Sequence, residues 1–380
     1  MTDYKTAIKR LGDLGVEASR AGMYEKAVRI WHQARDLAEQ NRDEEMLVKS
    51  LFWEGHCLQM LGKYDQAMPL LMEAANCRSP EADPADVFIA AIMLIIISLS
   101  RKNASYCRKL IEQTREYLSG INQQKWEHNL DLLEGRLEYD QGNFQDAFRC
   151  FVQAWETCPQ TTTAYPSYTP SSYLYHICKT AFALHEPEQL TQWVTVIEAC
   201  DKRMEGDKID SKLSRLLLFR AECSEGGDFF HAPEFALSTL EMIELHEART
   251  QEYKEFIIQC LRILALAGRW KDLEYQLERF LLRLMQDFDY FLFRGDEQQC
   301  RARAALGMAV KDDEYDLDFP LPESDIPDPE SGLKHLRQAA EFYENAREDA
   351  QKEDELTETA WYTNILNERL ARVRAIEDAL

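Results

Sequence analysis

Residues Val87 to Ser98, VFIAAIMLIIIS, run apolar for about three helical turns without a polar face. A helix of that kind must be covered on every side. Elsewhere Glu, Leu, Ala, Arg and Gln dominate segments separated by Gly-Asn and Gly-Lys turns. That pattern predicts an all-α chain, and its period organises it further.

Gly22-Met-Tyr24-Glu-Lys-Ala27-x3-Trp31-x2-Ala34 aligns with Gly62-Lys-Tyr64-Asp-Gln-Ala67-x3-Leu71-x2-Ala74 and with Gly142-Asn-Phe144-Gln-Asp-Ala147-x3-Phe151-x2-Ala154, at offsets of 40 and 80 residues. Between them, in the same phase, stand Ala104, Cys107, Ile111 and Thr114. Upstream, Gly15, Gly55 and Gly135 share a register in which Ile95 takes the third place. Small residues let paired helices approach, a turn aromatic closes the hairpin, and a large residue at the Trp31, Leu71, Ile111 and Phe151 position fills the seam.

These residues resemble the tetratricopeptide repeat, whose usual period is 34; the longer period matches variants in bacterial signalling regulators and kinesin light chains. The resemblance implies a right-handed α-solenoid of helical hairpins. Residues 1–160 hold four regular repeats and 161–310 hold degenerate ones, interrupted at the outset by the loop TTTAYPSYTPSS, residues 161–172. Helices are expected at Ser172–His185, Glu188–Arg203, Lys208–Glu225 and Ala232–Ala248, and Gly268-Arg-Trp270-Lys-Asp-Leu273-x3-Leu277-x2-Phe280 is a further copy. That makes seven helical pairs up to about residue 309. Residues 311–330 carry nine carboxylates, one Lys and four prolines, which predicts an acidic, Pro-rich linker. Ser331–Glu353 and Glu355–Leu380 are then expected as a C-terminal helical hairpin that caps the solenoid, with Trp361, Ile365, Leu366, Leu370, Val373 and Ile376 forming one apolar stripe.

In the resembled family the first helix of each repeat lines a concave groove. Carried over position by position, that implies partner-binding roles for Lys49, Phe52, Trp53 and His56 in the second repeat, Ile89, Ile92, Met93 and Ile96 in the third, and Leu132, Leu133, Arg136 and Tyr139 in the fourth. Four aliphatic side chains left exposed on Val87–Ser98 would each forgo roughly 1.5 to 3 kcal/mol. Either the chain itself covers them, through close superhelical packing, the Pro-rich loop or the terminal hairpin, or another protein does. A partner would offer an apolar or amphipathic segment, with Lys49, Arg136 and Lys9 orienting its acidic or carboxyl groups. The clamp by which some family members hold acidic carboxy-terminal peptides is not reproduced, because Gly12, Val16, Ile89 and Met93 replace its polar residues.

A net charge of −23 opposes nucleic-acid and anionic-membrane binding; it reads as solubility, with a basic partner as the sharper alternative. Ten cysteines stand singly, as expected of a reducing cytoplasm. The opening MTDYKTAIKRLGD lacks a signal-peptide core, and the eleven apolar residues Val87–Ile97 are too few to span a bilayer. No phosphate loop, GxSxG, HExxH or CxxC occurs, so no cofactor or catalytic centre is expected. His56-Cys57 and His176-Ile-Cys178 have no second pair at metal spacing. Asp312, Glu314, Asp316 and Glu323 mimic calcium-loop spacing, but Leu317 stands where the turn requires Gly. The chain therefore reads as a non-enzymatic protein-interaction scaffold. The alternative is a peptide- or ligand-sensing regulatory solenoid without its own effector domain.

Overall fold

The computed structural model describes residues 2–158, 170–201, 209–224, 231–243, 251–280, 284, 288–312, 317–319, 327–357 and 360–380. The fold is an all-α solenoid of helical pairs whose one departure, among the described residues, is a ladder of two three-residue strands. The loop expected at 161–172 lies mostly outside the described residues. The chain divides into two compact units, Met1–Thr169 and Pro170–Leu380.

Unit 1 pairs α1 (Thr2–Arg20) with α2 (Tyr24–Asn41), α3 (Glu44–Met60) with α4 (Tyr64–Ala75), α5 (Pro84–Ser100) with α6 (Ala104–Gly120), and α7 (Glu127–Asp140) with α8 (Phe144–Thr157). The first member of each pair is called helix A and the second helix B. Within a pair, the glycine of helix A fits under the large residue of helix B. A Cβ added at Gly15 would lie 2.5 Å from the Trp31 ring, at Gly55 2.7 Å from Leu71 Cγ, and at Gly135 2.6 Å from the Phe151 ring. The turns Gly22, Gly62 and Gly142 are left-handed, with φ of 69°, 71° and 77°. Asp43, Asp83 and Asn103 cap the helices that follow them.

The apolar helix α5 is explained by its neighbours: it packs on α3, α4, α6 and α7. Its partners on either flank are thus the A helices of adjacent pairs as well as the B helices.

Unit 2 continues with α9 (Pro170–Ala183) and α10 (Pro187–Asp201), α11 (Ile209–Ser224) and α12 (His231–Met242), and α13 (Gln251–Leu266) and α14 (Trp270–Phe280). Then come α15 (Phe288–Ala305), β1 (Val310–Asp312), β2 (Leu317–Phe319), α16 (Pro329–Asn345), α17 (Arg347–Thr357) and α18 (Trp361–Asp378). The strands are antiparallel, with Val310 opposite Phe319 and Asp312 opposite Leu317.

Two expectations change here. The C-terminal segment is three helices rather than two: α16 and α17 both pack on α18, and α16 also packs along α15. A Cβ added at Gly295 would lie 2.2 Å from the Tyr343 ring, the same lock as Gly15 with Trp31. Ala339, Tyr343 and Ala346, all fully buried, reproduce the Ala-x3-aromatic-x2-Ala signature of helix B. The acidic segment is accordingly an insertion between helix A and helix B of an eighth pair. It is not a solvated linker throughout either, since Asp312 and Phe319 are buried.

Candidate functional site

The twelve expected groove residues all lie on A helices of unit 1, and burial divides them. Phe52, Leu132 and Leu133 are fully buried, and Ile89 and Ile92 are only 2% and 6% exposed. Of the four aliphatic side chains that needed a cover, Ile89 and Ile92 are covered by the chain itself, while Met93 and Ile96 are half-buried. The reason is the direct packing of α3, α5 and α7, which puts Phe52, Ile89, Ile92 and Leu133 into one shared core. Lys49, Trp53, His56, Met93, Ile96, Arg136 and Tyr139 are half-buried.

Those half-buried residues recur at the repeat spacing. Trp53 and Met93 occupy one position in successive A helices, and His56, Ile96 and Arg136 occupy another. Behind them, Trp53 lies parallel to Trp31 of α2, with ring centroids 5.7 Å apart, and meets His56 edge-on at 5.8 Å. Burial pushes the His56 imidazole below its ordinary value, so it presents a neutral ring. Tyr139 serves the hairpin instead, its ring 5.1 Å from Phe144 at the following turn. Lys49 and Arg136 form no ion pair among the described residues, although carboxylates outnumber cations in the chain by 67 to 44.

Two features of this face escaped the sequence reading. Asp86 lies three, seven and ten residues before Ile89, Met93 and Ile96, hence on the same side of α5. Burial lifts its carboxyl to about 6, with Asp83 and Glu45 adding to the shift and Lys49 opposing it. The second feature is a charge lock between pairs. Arg35 of α2 reaches Glu54 of α3 at 3.0 Å, and 80 residues later Arg115 of α6 reaches Glu134 of α7 at 2.7 Å. Between these two, the equivalent residues are Ala75 and Leu94, an apolar seam. The 80-residue echo of Arg and Glu was readable in the sequence.

Among the described residues no group of three or more His, Cys, Asp or Glu is placed to hold a metal ion. No described helix is long and apolar enough to cross a membrane. No family model matches the chain, and no curated protein matches it. Among solved structures, the TPR domain of P58(IPK) aligns over 98% of this chain and 99% of its own, at 13% identity and a TM-score of 0.23. So loose a superposition adds nothing to the repeat geometry, and the functional reading rests on this chain's residues.

Proposed function

We propose that the chain is a non-catalytic interaction module in which the A-helix face of unit 1 takes up an apolar or amphipathic segment of a partner protein. The observation that carries this reading is the repetition of half-exposed side chains, Trp53 with Met93 and His56 with Ile96 and Arg136, one set per helix, on a rigid core. Each such side chain retains apolar area to bury, worth roughly 25 cal/mol per Å². The buried Phe52, Ile89, Ile92, Leu132 and Leu133 support the face from beneath. Lys49 and Arg136 are cations for the partner's carboxylates.

The test is a photo-crosslinking amino acid placed at Ile96, on the proposed face, or at Met72, which is 40% exposed on α4. Adducts with a discrete partner are expected from position 96 only, and Trp53→Ala combined with Met93→Asp should abolish them. Equal adducts from both positions, or adducts from position 96 untouched by the double variant, would overturn the assignment.

A further inference from the structure

The other turns between helix A and helix B in the regular repeats take about three residues, such as Ala21–Met23 and Leu61–Lys63. Between α15 and α16 the chain takes Leu306 to Asp328. The pair closes without that detour: Gly307 adopts the left-handed turn conformation of Gly22 and Gly62, with φ of 71°. The Asp328 amide donates to Ala305 O at 2.6 Å, which brings the two ends of the insertion together. Closing the helical pair thus leaves the insertion unexplained.

Its two strands lie on helices of the A type. β1 packs on α13 and α15, and β2 packs on α11, while α11, α13 and α15 also pack on one another in sequence. Val310 and Asp312 point inward from β1, and Phe319 is buried opposite Val310. The Asp312 carboxylate, with no exposed side-chain surface, accepts from Arg220 Nε at 2.9 Å and forms a second bond to the same guanidinium. Arg262 Nη1 stands 4.0 Å from its other oxygen. Arg220 and Arg262 come from successive A helices, 42 residues apart. Each is itself positioned: Arg220 donates to Gln259 at 2.7 Å and lies over the Phe182 ring, and Arg262 donates to Asp296 at 3.1 Å. The β1 backbone adds an acceptor, Lys311 O, 3.6 Å from Cys300 Sγ. A cavity of about 10 Å³, room for one water, remains beneath β1 between α13 and α15.

An extended segment with an apolar residue, one spacer and an aspartate, seated across several A helices on an arginine pair, has the anatomy of a bound peptide. The geometry points to the strands Val310–Asp312 and Leu317–Phe319 as a resident ligand of unit 2, occupying a groove that takes extended acidic peptides of the form apolar-x-Asp. The insertion blocks that groove until it is released, and an outside peptide of the same chemistry competes with it. This inference is independent of the face assigned on unit 1.

The probe is a synthetic peptide of residues 308–320, with a control peptide carrying Asp312→Ala. Two proteins are compared with wild type: one in which residues 308–327 are replaced by a two-residue turn, and Phe319→Ala, which loosens the strands without stranding a buried charge. The shortened protein should bind the peptide and reject the control, and Phe319→Ala should bind it about tenfold more tightly than wild type for each tenfold rise in the open fraction. Should the shortened protein fail to fold, recovery of its helical signal on adding the peptide in trans supports the inference. If neither recovery nor binding occurs, amide exchange in wild type decides. A resident ligand opens and exchanges well before α11, α13 and α15 do, whereas a structural element exchanges together with them. Co-exchange of the strands with those helices, or no gain in affinity for folded Phe319→Ala, overturns the inference.

Discussion

Lys102 Nζ lies 2.8 Å from Asp140 Oδ2, joining the turn of the third pair in unit 1 to the end of the next A helix. Lys102 holds the position that Gly22, Gly62 and Gly142 hold in the other pairs, and it adopts their left-handed backbone with φ of 55°. A side chain there costs roughly 1 to 2 kcal/mol. The cation offsets part of that cost by bridging neighbouring pairs.

The two effects separate by mutation. Lys102→Gly relieves the backbone but loses an ion pair worth about 0 to 1 kcal/mol, so its stability should lie between that of wild type and about 2 kcal/mol above it. In an Asp140→Asn background the same substitution should stabilise by about 1 kcal/mol. Denaturant midpoints of the four proteins measure the cycle; a destabilising Lys102→Gly in both backgrounds contradicts it.

Glycines within one helix should respond in opposite directions. A Cβ at Gly15 would meet the Trp31 ring at 2.5 Å, whereas one at Gly12 would find Trp31 and Met46 at ordinary contact, 3.7 and 3.8 Å. Gly15→Ala is expected to cost about 1 to 3 kcal/mol and Gly12→Ala to gain up to about 1 kcal/mol from helix propensity. Thermal unfolding of both variants gives the signs, and matching signs would refute the packing argument.

The same contacts explain what was legible in the chain. The 40-residue register of Gly, Tyr, Ala and a large residue is written by close packing inside a pair, which recurs with few alternatives. What the register left undetermined was the spacing between neighbouring A helices. For Ile89 and Ile92 the sequence left two covers open, the chain's own superhelical packing or a partner, and in this chain α3, α5 and α7 close over them. Tyr343 was missed for a different reason. The signature Ala339-x3-Tyr343-x2-Ala346 is intact, but the insertion displaces it from the period and separates it from Gly295. The buried pair of Arg220 and Asp312, 92 positions apart, follows from no local pattern.

Two groups of unit 1 should give opposite pH dependences. Burial pushes His128 from 6.5 down to about 4, so the unfolded chain takes up a proton that the native state refuses. Its contribution is complete above pH 6.5 and is lost as pH falls towards 4. Asp86, raised from 3.8 to about 6 chiefly by burial, contributes stability that is complete below 3.8 and is lost as pH rises through about 6. His128→Asn should flatten the acid limb relative to its own neutral-pH stability. Asp86→Asn should gain over wild type progressively as pH rises from about 3.8 and in full above about pH 6. Denaturation midpoints between pH 4 and 8 check both, and an unchanged acid limb in His128→Asn excludes that residue as its source.

The start of α18 is capped from a distance. Ala360 precedes the helix and has no side chain with which to cap it, yet the buried Asp354 of α17 accepts from Tyr362 N at 3.0 Å and from Thr363 N at 2.8 Å. Two amides that would otherwise lack an intrahelical acceptor are satisfied by one carboxylate, whose charge also suits a helix N-terminus. Asp354→Ala should therefore cost about 2 kcal/mol and raise amide exchange at the start of α18 first. Adding Ala360→Asp supplies a local cap in its place and should recover about 1 kcal/mol. If Asp354→Ala leaves exchange at Tyr362 and Thr363 unchanged, the two hydrogen bonds do not hold the helix end. If Ala360→Asp restores nothing while exchange has risen, the loss comes from the packing of α17 and not from the missing cap.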